Sequence, residues 1–264
     1  MDFQQLTLKT IDLIAFVGDY IGNEATRFDY HRVEEKGLND LVSYVDKTAE
    51  SKLVEGLEKL LPEAGFITEE GTAGHTEEVL RWVVDPLDGT TNFTHGLPVY
   101  AISVGLMEGD DLVAGVVYEI NRKEMFWASR GNGAKMNNKS IYVSPRAKLA
   151  ESLLATGFPY YNFTQMQSYL SILNEFMHTT HGLRRMGSAA VDLAYVACGR
   201  FEGFFEYNLN AWDVAAGSLL VKEAGGRVTD FNLSDNFLFG REIIAANKVL
   251  DEMQAIIGRH WHKY

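Results

Sequence analysis

The run Trp82-Val83-Val84-Asp85-Pro86-Leu87-Asp88-Gly89-Thr90-Thr91-Asn92-Phe93 opens as a β-branched apolar segment, the pattern of a buried strand. Pro86 fixes its own φ and holds Asp85 extended, so the strand is expected to end at Asp85. Two carboxylates stand three residues apart, at Asp85 and Asp88. Gly89, Thr90 and Thr91 follow and can turn the chain while offering amides and hydroxyls. Paired acids ahead of exposed amides suit a hard cation and a phosphate. A bare D-x-x-D-G serves ordinary turns equally well, its carboxylates bonding nearby amides, so the context has to separate the two.

Upstream, residues 66–68 read as a short strand that delivers Glu69 and Glu70. Leu41, Val45, Ala49, Leu53, Leu57 and Leu60 recur at helical spacing and mark a helix ended before Pro62. Asp40 and Asp46 fall near its start, where acids favour the helix dipole. Phe3, Leu6, Leu13, Val17 and Ile21 mark an amphipathic first helix with stop signals at Gly22 and Asn23. Residues 27–39 between these helices are polar and aperiodic, a mobile loop or a short hairpin.

Downstream, the strand-like runs 100–107, 112–120 and 124–128 are joined by Glu108-Gly109-Asp110-Asp111 and Asn121-Arg122-Lys123, which predicts an antiparallel meander. Gly131-Asn132-Gly133 lacks a third glycine and a following helix, so it reads as a turn and not a dinucleotide fingerprint. Ser144-Pro145 marks a boundary between halves 1–145 and 146–264. Beyond it strands are expected at 152–156, 182–186, 201–207 and 243–246, the third of them ending on Glu206. Helices are expected at 163–177, at 187–197, and from Trp212 to Gly225-Gly226 with Asn210 as cap. Asn247 is read as the cap of a terminal helix, and His260-Trp261-His262 as a frayed end.

The chain has 264 residues, 46% hydrophobic and 23% charged, ordinary for a soluble globular protein of one large domain or two small ones. A net charge of −12 argues against a nucleic-acid face and against an anionic membrane. An anionic substrate stays allowed, because clustered carboxylates invert their local charge on taking up metal. Cys198 is the one cysteine, so no internal disulfide forms and a packing role is expected in a reducing compartment. The N-terminus is polar and acidic, unlike a signal peptide, and no apolar run approaches the roughly 20 residues of a membrane span. These features point to the cytoplasm. There is no Cys/His cluster of zinc spacing and no P-loop.

The string from Asp85 to Phe93 closely resembles the first signature of the inositol monophosphatase family. Trp212-Asp213-Val214-Ala215-Ala216-Gly217 with Glu223-Ala224-Gly225-Gly226 resembles the second, and Phe66-Ile67-Thr68-Glu69-Glu70 a third element. Three matches in order cover most of the chain. The resemblance implies an α+β fold, the layered αβαβα sandwich of the sugar phosphatases, with mixed or antiparallel sheets. It implies two or three Mg²⁺ per site. Glu69 and Asp85 with the carbonyl of Leu87 would hold the first; Asp85, Asp88 and Asp213 the second; Glu69 would reach a third through water.

By the same resemblance, Thr90 with Asp46 orients or deprotonates the attacking water, and the amides of Gly89 and Thr90 hold phosphate oxygens. Gly187-Ser188-Ala189 contacts the sugar ring, Glu206 binds hydroxyls, and Asp213 also faces the substrate. The implied reaction is hydrolysis of inositol monophosphate, a small phosphorylated polyol, by a lithium-sensitive homodimer. Relatives acting on adenosine bisphosphates or histidinol phosphate tend to carry Lys where Thr91-Asn92 stand; fructose 1,6-bisphosphate is a further alternative. Some bacterial relatives bind transcription or RNA-processing machinery, which keeps open an interaction protein with an incidental site. Within 31–39 no lysine aligns uniquely with the family, and Lys36 is the candidate.

Overall fold

A computed structural model of the chain describes residues 1–29, 31, 33–37, 40–73, 78–160 and 162–261, with the backbone alone at 35–37 and 40. The side chain of Lys36 and residue His262 therefore lie outside the described residues. The chain opens with helix α1 (Phe3–Ala25), whose N-cap Asp2 accepts from the Gln5 amide at 3.0 Å. A two-stranded antiparallel hairpin, β1 (Val33–Gly37) and β2 (Asp40–Ser43), leads into α2 (Tyr44–Leu60). Of the two sequence expectations for 27–39, the structure thus builds the hairpin. Leu41 and Asp40, read as the start of the helix, belong to β2; Ser43 caps the helix in an extended conformation.

A seven-stranded sheet follows in chain order: β3 (Gly65–Thr68), β4 (Leu80–Asp88), β5 (Ala101–Glu108), β6 (Asp111–Glu119), β7 (Glu124–Ser129), β8 (Ala134–Met136) and β9 (Lys139–Ile141). Only β3 and β4 pair in parallel; the rest form the expected antiparallel meander. A five-stranded sheet has the order β11-β10-β12-β14-β13, with β10 (Leu153–Thr156), β11 (Gly182–Arg184), β12 (Gly203–Tyr207), β13 (Arg227–Thr229) and β14 (Glu242–Ala246).

Strand alternation sorts the core into layers, because successive side chains leave opposite faces of a sheet. Trp82 and Val84 of β4 pack with Ile14, Val17, Leu53 and Leu57 of α1 and α2. Val83 points the other way, into a cluster with α5 (Ala189–Ala197) and α6 (Ala211–Glu223). Phe204 and Ala245 of the second sheet join that same middle layer. Their neighbours Phe205 and Ile244 face α4 (Met166–Thr179) and α7 (Leu250–His260). The result is five layers, αβαβα, with mixed sheets.

Small residues make the middle layer thin. A Cβ at Gly115 would stand 2.9 Å from the Ala216 carbonyl oxygen, so α6 lies almost on the sheet backbone. This explains why α5 and α6 are apolar on nearly every face: both are sandwiched between sheets.

Several local expectations needed correction. β4 does not stop at Asp85 but runs to Asp88 through a bulge, pairing Asp85 with Ser103 and Asp88 with Ala101. Pro86 sits inside that bulge, where the ladder skips and its missing N–H costs nothing. The turn after Gly89 closes into a short helix, α3 (Thr90–Thr94). α7 begins after Val249, and Asn247 instead accepts from the Val249 amide at 3.0 Å.

Candidate active site

The parallel register of β3 on β4 sets Thr68 beside Val84, so the next residues, Glu69 where β3 ends and Asp85 within β4, come side by side. The bulge then re-aims the chain and brings Asp88 to the same cleft. Gly89 turns the strand into α3 at φ +96°, a left-handed conformation that suits glycine. A Cβ there would also meet the carbonyl oxygens of Val99 at 3.0 Å and Gly187 at 3.2 Å.

The second half of the chain is tied to this corner. Asp88 Oδ2 accepts from Ser188 Oγ and from the Ala190 amide, each at 2.7 Å, at the start of α5. Asn92 donates to the carbonyls of Val99 at 2.7 Å and Met186 at 2.8 Å. Asp213 occupies the third position of α6, where Oδ2 accepts the Asn210 amide at 2.7 Å in a reciprocal capping box. One helix start thus carries both the cap and an acid of the cleft.

The cleft is lined by Glu69, Asp85, Leu87, Asp88, Gly89, Thr90, Gly187, Ser188, Ala189, Glu206 and Asp213, every site residue read from the sequence except Asp46. It is an open cleft of about 910 Å³, its mouth to solvent included. Asp46 sits just behind, fully buried on α2. Its Oδ2 accepts the Ser43 amide at 2.8 Å and hydroxyl at 2.6 Å, and its Oδ1 lies 2.8 Å from Thr90 Oγ1. Thr90 Oγ1 is also 2.9 Å from the Leu87 carbonyl oxygen. Its single proton serves one of these acceptors, which leaves the oxygen lone pairs for a donor in the cleft.

Sequence reasoning missed other lining residues: Phe158, Pro159, Tyr160, Arg185 and Asp192. Arg185 donates to the Tyr160 hydroxyl at 2.9 Å and faces the rings of Phe158 and Tyr160. Its position two residues ahead of Gly187 was the available signal. Asp192 carries no local signal, being a polar residue within a helix of small residues. A Cβ on Gly157 would overlap the Glu206 carboxylate, so that glycine makes room for the acid.

The electrostatics are those of crowded acids. Burial pushes Asp85 well above the usual carboxylate range, and the negative charges of Glu69, Asp88 and Asp213 push the same way. Burial raises Asp88 to about 6, opposed by the Ser188 hydroxyl, the Ala190 amide and Arg185. Glu206 is raised well above normal by burial and then by Asp213, with Arg185 opposing. Asp192 is raised by burial and by Glu206. Asp46 is raised by burial, against its hydrogen bonds from Ser43 and Thr90.

An all-oxygen donor set under mutual repulsion has the chemistry of a Mg²⁺ site, and Glu69, Asp85, Asp88 and Asp213 suit that ion in donor type. As placed, no three Asp, Glu, His or Cys side chains among the described residues are grouped tightly enough to hold an ion. Asp88 and Asp213 are turned to the protein donors named above.

The chain belongs to the inositol monophosphatase family, whose model matches residues 3–262. It is 45% identical to a putative Nus factor SuhB of Neisseria meningitidis serogroup B, over 92% of this chain and 94% of that protein. It is 43% identical to an inositol-1-monophosphatase of Mesorhizobium japonicum, over 83% of each chain. The solved inositol monophosphatase of Anabaena (Nostoc) superposes with a TM-score of 0.86 at 30% identity, covering 99% of this chain and 98% of that one. No helix among the described residues is long and apolar enough to cross a membrane.

Proposed function

We propose that the protein is a Mg²⁺-dependent phosphomonoesterase that hydrolyses inositol monophosphate to inositol and phosphate. The convergence of Glu69, Asp85, Asp88 and Asp213 on one cleft with the Gly89–Thr90 turn carries this reading. In it, residues 1–145 supply Glu69 and the first signature, and residues 146–264 supply Asp213 and Glu206. Glu69, Asp85 and the Leu87 carbonyl would hold one Mg²⁺, and Asp85, Asp88 and Asp213 another; Glu69 would serve a third through water. Bound there, the metals supply a nucleophilic water and neutralise charge on the leaving oxygen.

The chain's own groups do the rest. Amides of the first turn of a helix have no intrahelical partner, so those of Gly89 and Thr90 would donate to phosphate oxygens. Thr90 Oγ1 accepts a hydrogen bond from the attacking water, and its own proton faces Asp46 Oδ1. As the water oxygen bonds to phosphorus, its proton passes to the Thr90–Asp46 pair, the bond from phosphorus to the polyol oxygen breaks, and that oxygen takes a proton from solvent water to leave as the alcohol. Ser188 and Ala189 border the ring, and Glu206 accepts hydroxyl protons.

Lithium sensitivity and a homodimer, which the family resemblance implies, and a cytoplasmic location complete the reading. A panel of inositol, fructose, nucleotide and histidinol phosphates with Mg²⁺ tests it. The inositol ester should give the highest kcat/KM; preference for another ester would move the substrate while keeping the chemistry.

A second reading has support in the name Nus factor carried by the Neisseria relative. In that reading the chain serves transcription machinery and its cleft is incidental. Capture of RNA polymerase by an Asp85→Asn variant as well as by the parent would favour it.

A further inference from the structure

Glu50 lies one helical turn beyond Asp46 on α2 and is fully buried. It receives three hydrogen bonds from a single loop: Oε2 accepts the Glu70 amide at 2.7 Å, and Oε1 accepts the Thr72 amide at 2.9 Å and the Thr72 hydroxyl at 2.7 Å. That loop is the exit of β3 and begins with Glu69. The last backbone bond from this segment to the sheet is Glu69 N–H to the Val84 carbonyl at 3.2 Å. Beyond it the chain turns through Gly71 at φ +69°, with no atom of the described residues within 4 Å of a Cβ there.

Residues spaced i and i+4 on a helix share a face. On this face Asp46 reaches Thr90 and Glu50 reaches 70–72. α2 therefore spans the two loops that bring acids to the cleft. We infer that Glu50 is a positioning residue, which holds the 69–72 turn so that the Glu69 carboxylate meets Asp85 and is ready for metal. The inference rests on the metal-site reading above, and Glu50 itself touches neither substrate nor ion. A carboxylate is needed because two oxygens must each accept backbone amides. In Glu50→Gln one oxygen becomes an NH₂ group facing an N–H donor, so one of the two amide holds is lost with the shape retained.

The test uses the metal-free full chain and three readings on Glu50→Gln: hydrogen exchange of the 69–72 amides, calorimetric Mg²⁺ titration, and far-UV circular dichroism. The expected result is faster exchange at 69–72 and Mg²⁺ affinity at least ~10-fold weaker, with the native spectrum kept; groups that orient metal ligands typically control affinity by about 10–100-fold. Raising Mg²⁺ should restore most of kcat, which a purely structural defect would not allow. Thr72→Val, which removes only the hydroxyl, should shift affinity in the same direction by a smaller factor and keeps the test open should Glu50→Gln not fold. Parental Mg²⁺ affinity in folded Glu50→Gln or in Thr72→Val, with or without a lower melting temperature, overturns the role of Glu50. A parent that binds no Mg²⁺ overturns the metal-site reading with it.

Discussion

Asp213→Asn separates a helix acid from a working one. In the structure Asp213 does two things. It caps α6 by accepting the Asn210 amide at 2.7 Å, and its charge raises both Asp85 and Glu206. Asn keeps an oxygen for the amide, so the capping loss is confined to the dipole and charge contribution, about 0.3–1 kcal/mol. Relief of repulsion at Asp85 and Glu206 offsets it in metal-free buffer. The melting temperature should therefore hold or rise; an uncompensated loss of 1 kcal/mol would lower it by only about 2–4 °C. Catalysis responds differently. A ligand to a metal that stabilises several kcal/mol of transition-state charge cannot be lost cheaply. At ~1.4 kcal/mol per decade, kcat should fall at least ~100-fold. The assay is phosphate release at saturating Mg²⁺ beside calorimetry with chelator. Near-parental kcat would remove Asp213 from the site, and with it the convergence of the two signatures.

Three further outcomes are expected. Glu206→Gln should raise KM for inositol phosphate and spare a simple aryl phosphate; equal KM changes for both esters would refute a hydroxyl-binding role. Thr90→Ala should cut kcat about 100-fold for both esters, the usual scale of lost proton management, and parental turnover would release the Thr90–Asp46 pair from the mechanism. Metal-free stability should fall as pH rises through about 6, because folded Asp88 keeps its proton above the ordinary carboxylate range while the unfolded chain has released it. The full contribution lies on the order of 3 kcal/mol, and Asp88→Asn should flatten the pH dependence of the melting temperature; identical profiles would contradict the assignment.

How much of this was legible depended on how locally each feature is encoded. The strand into Asp85, the meander turns, and the cap at Asn210 declare themselves within a few residues, and the αβαβα layers were implied by the family resemblance that the three motifs carry. The bulge that carries β4 through Pro86 depends on the pairing of Asp88 with Ala101, a partner thirteen residues away, so proline alone suggested a stop. β8, β9 and β13 are three residues each, too short for any periodicity to show. α3 follows from the left-handed turn at Gly89, which the sequence allows without demanding. In the site, acids flanked by glycine and threonine stood out. Arg185, Asp192 and Glu50 did not, since their roles come from what lies opposite them: rings of 158–160, the Glu206 carboxylate, and the amides of 70–72.

The central claim is that four carboxylates from distant parts of the chain make one metal-dependent hydrolytic centre. Phosphate release from inositol 1-phosphate by the purified chain, with Mg²⁺ and with chelator, for the parent and for Asp85→Asn, tests it most directly. The account predicts rapid release by the parent with Mg²⁺ and background release in the other three conditions; parental rates with chelator or in folded Asp85→Asn would contradict it.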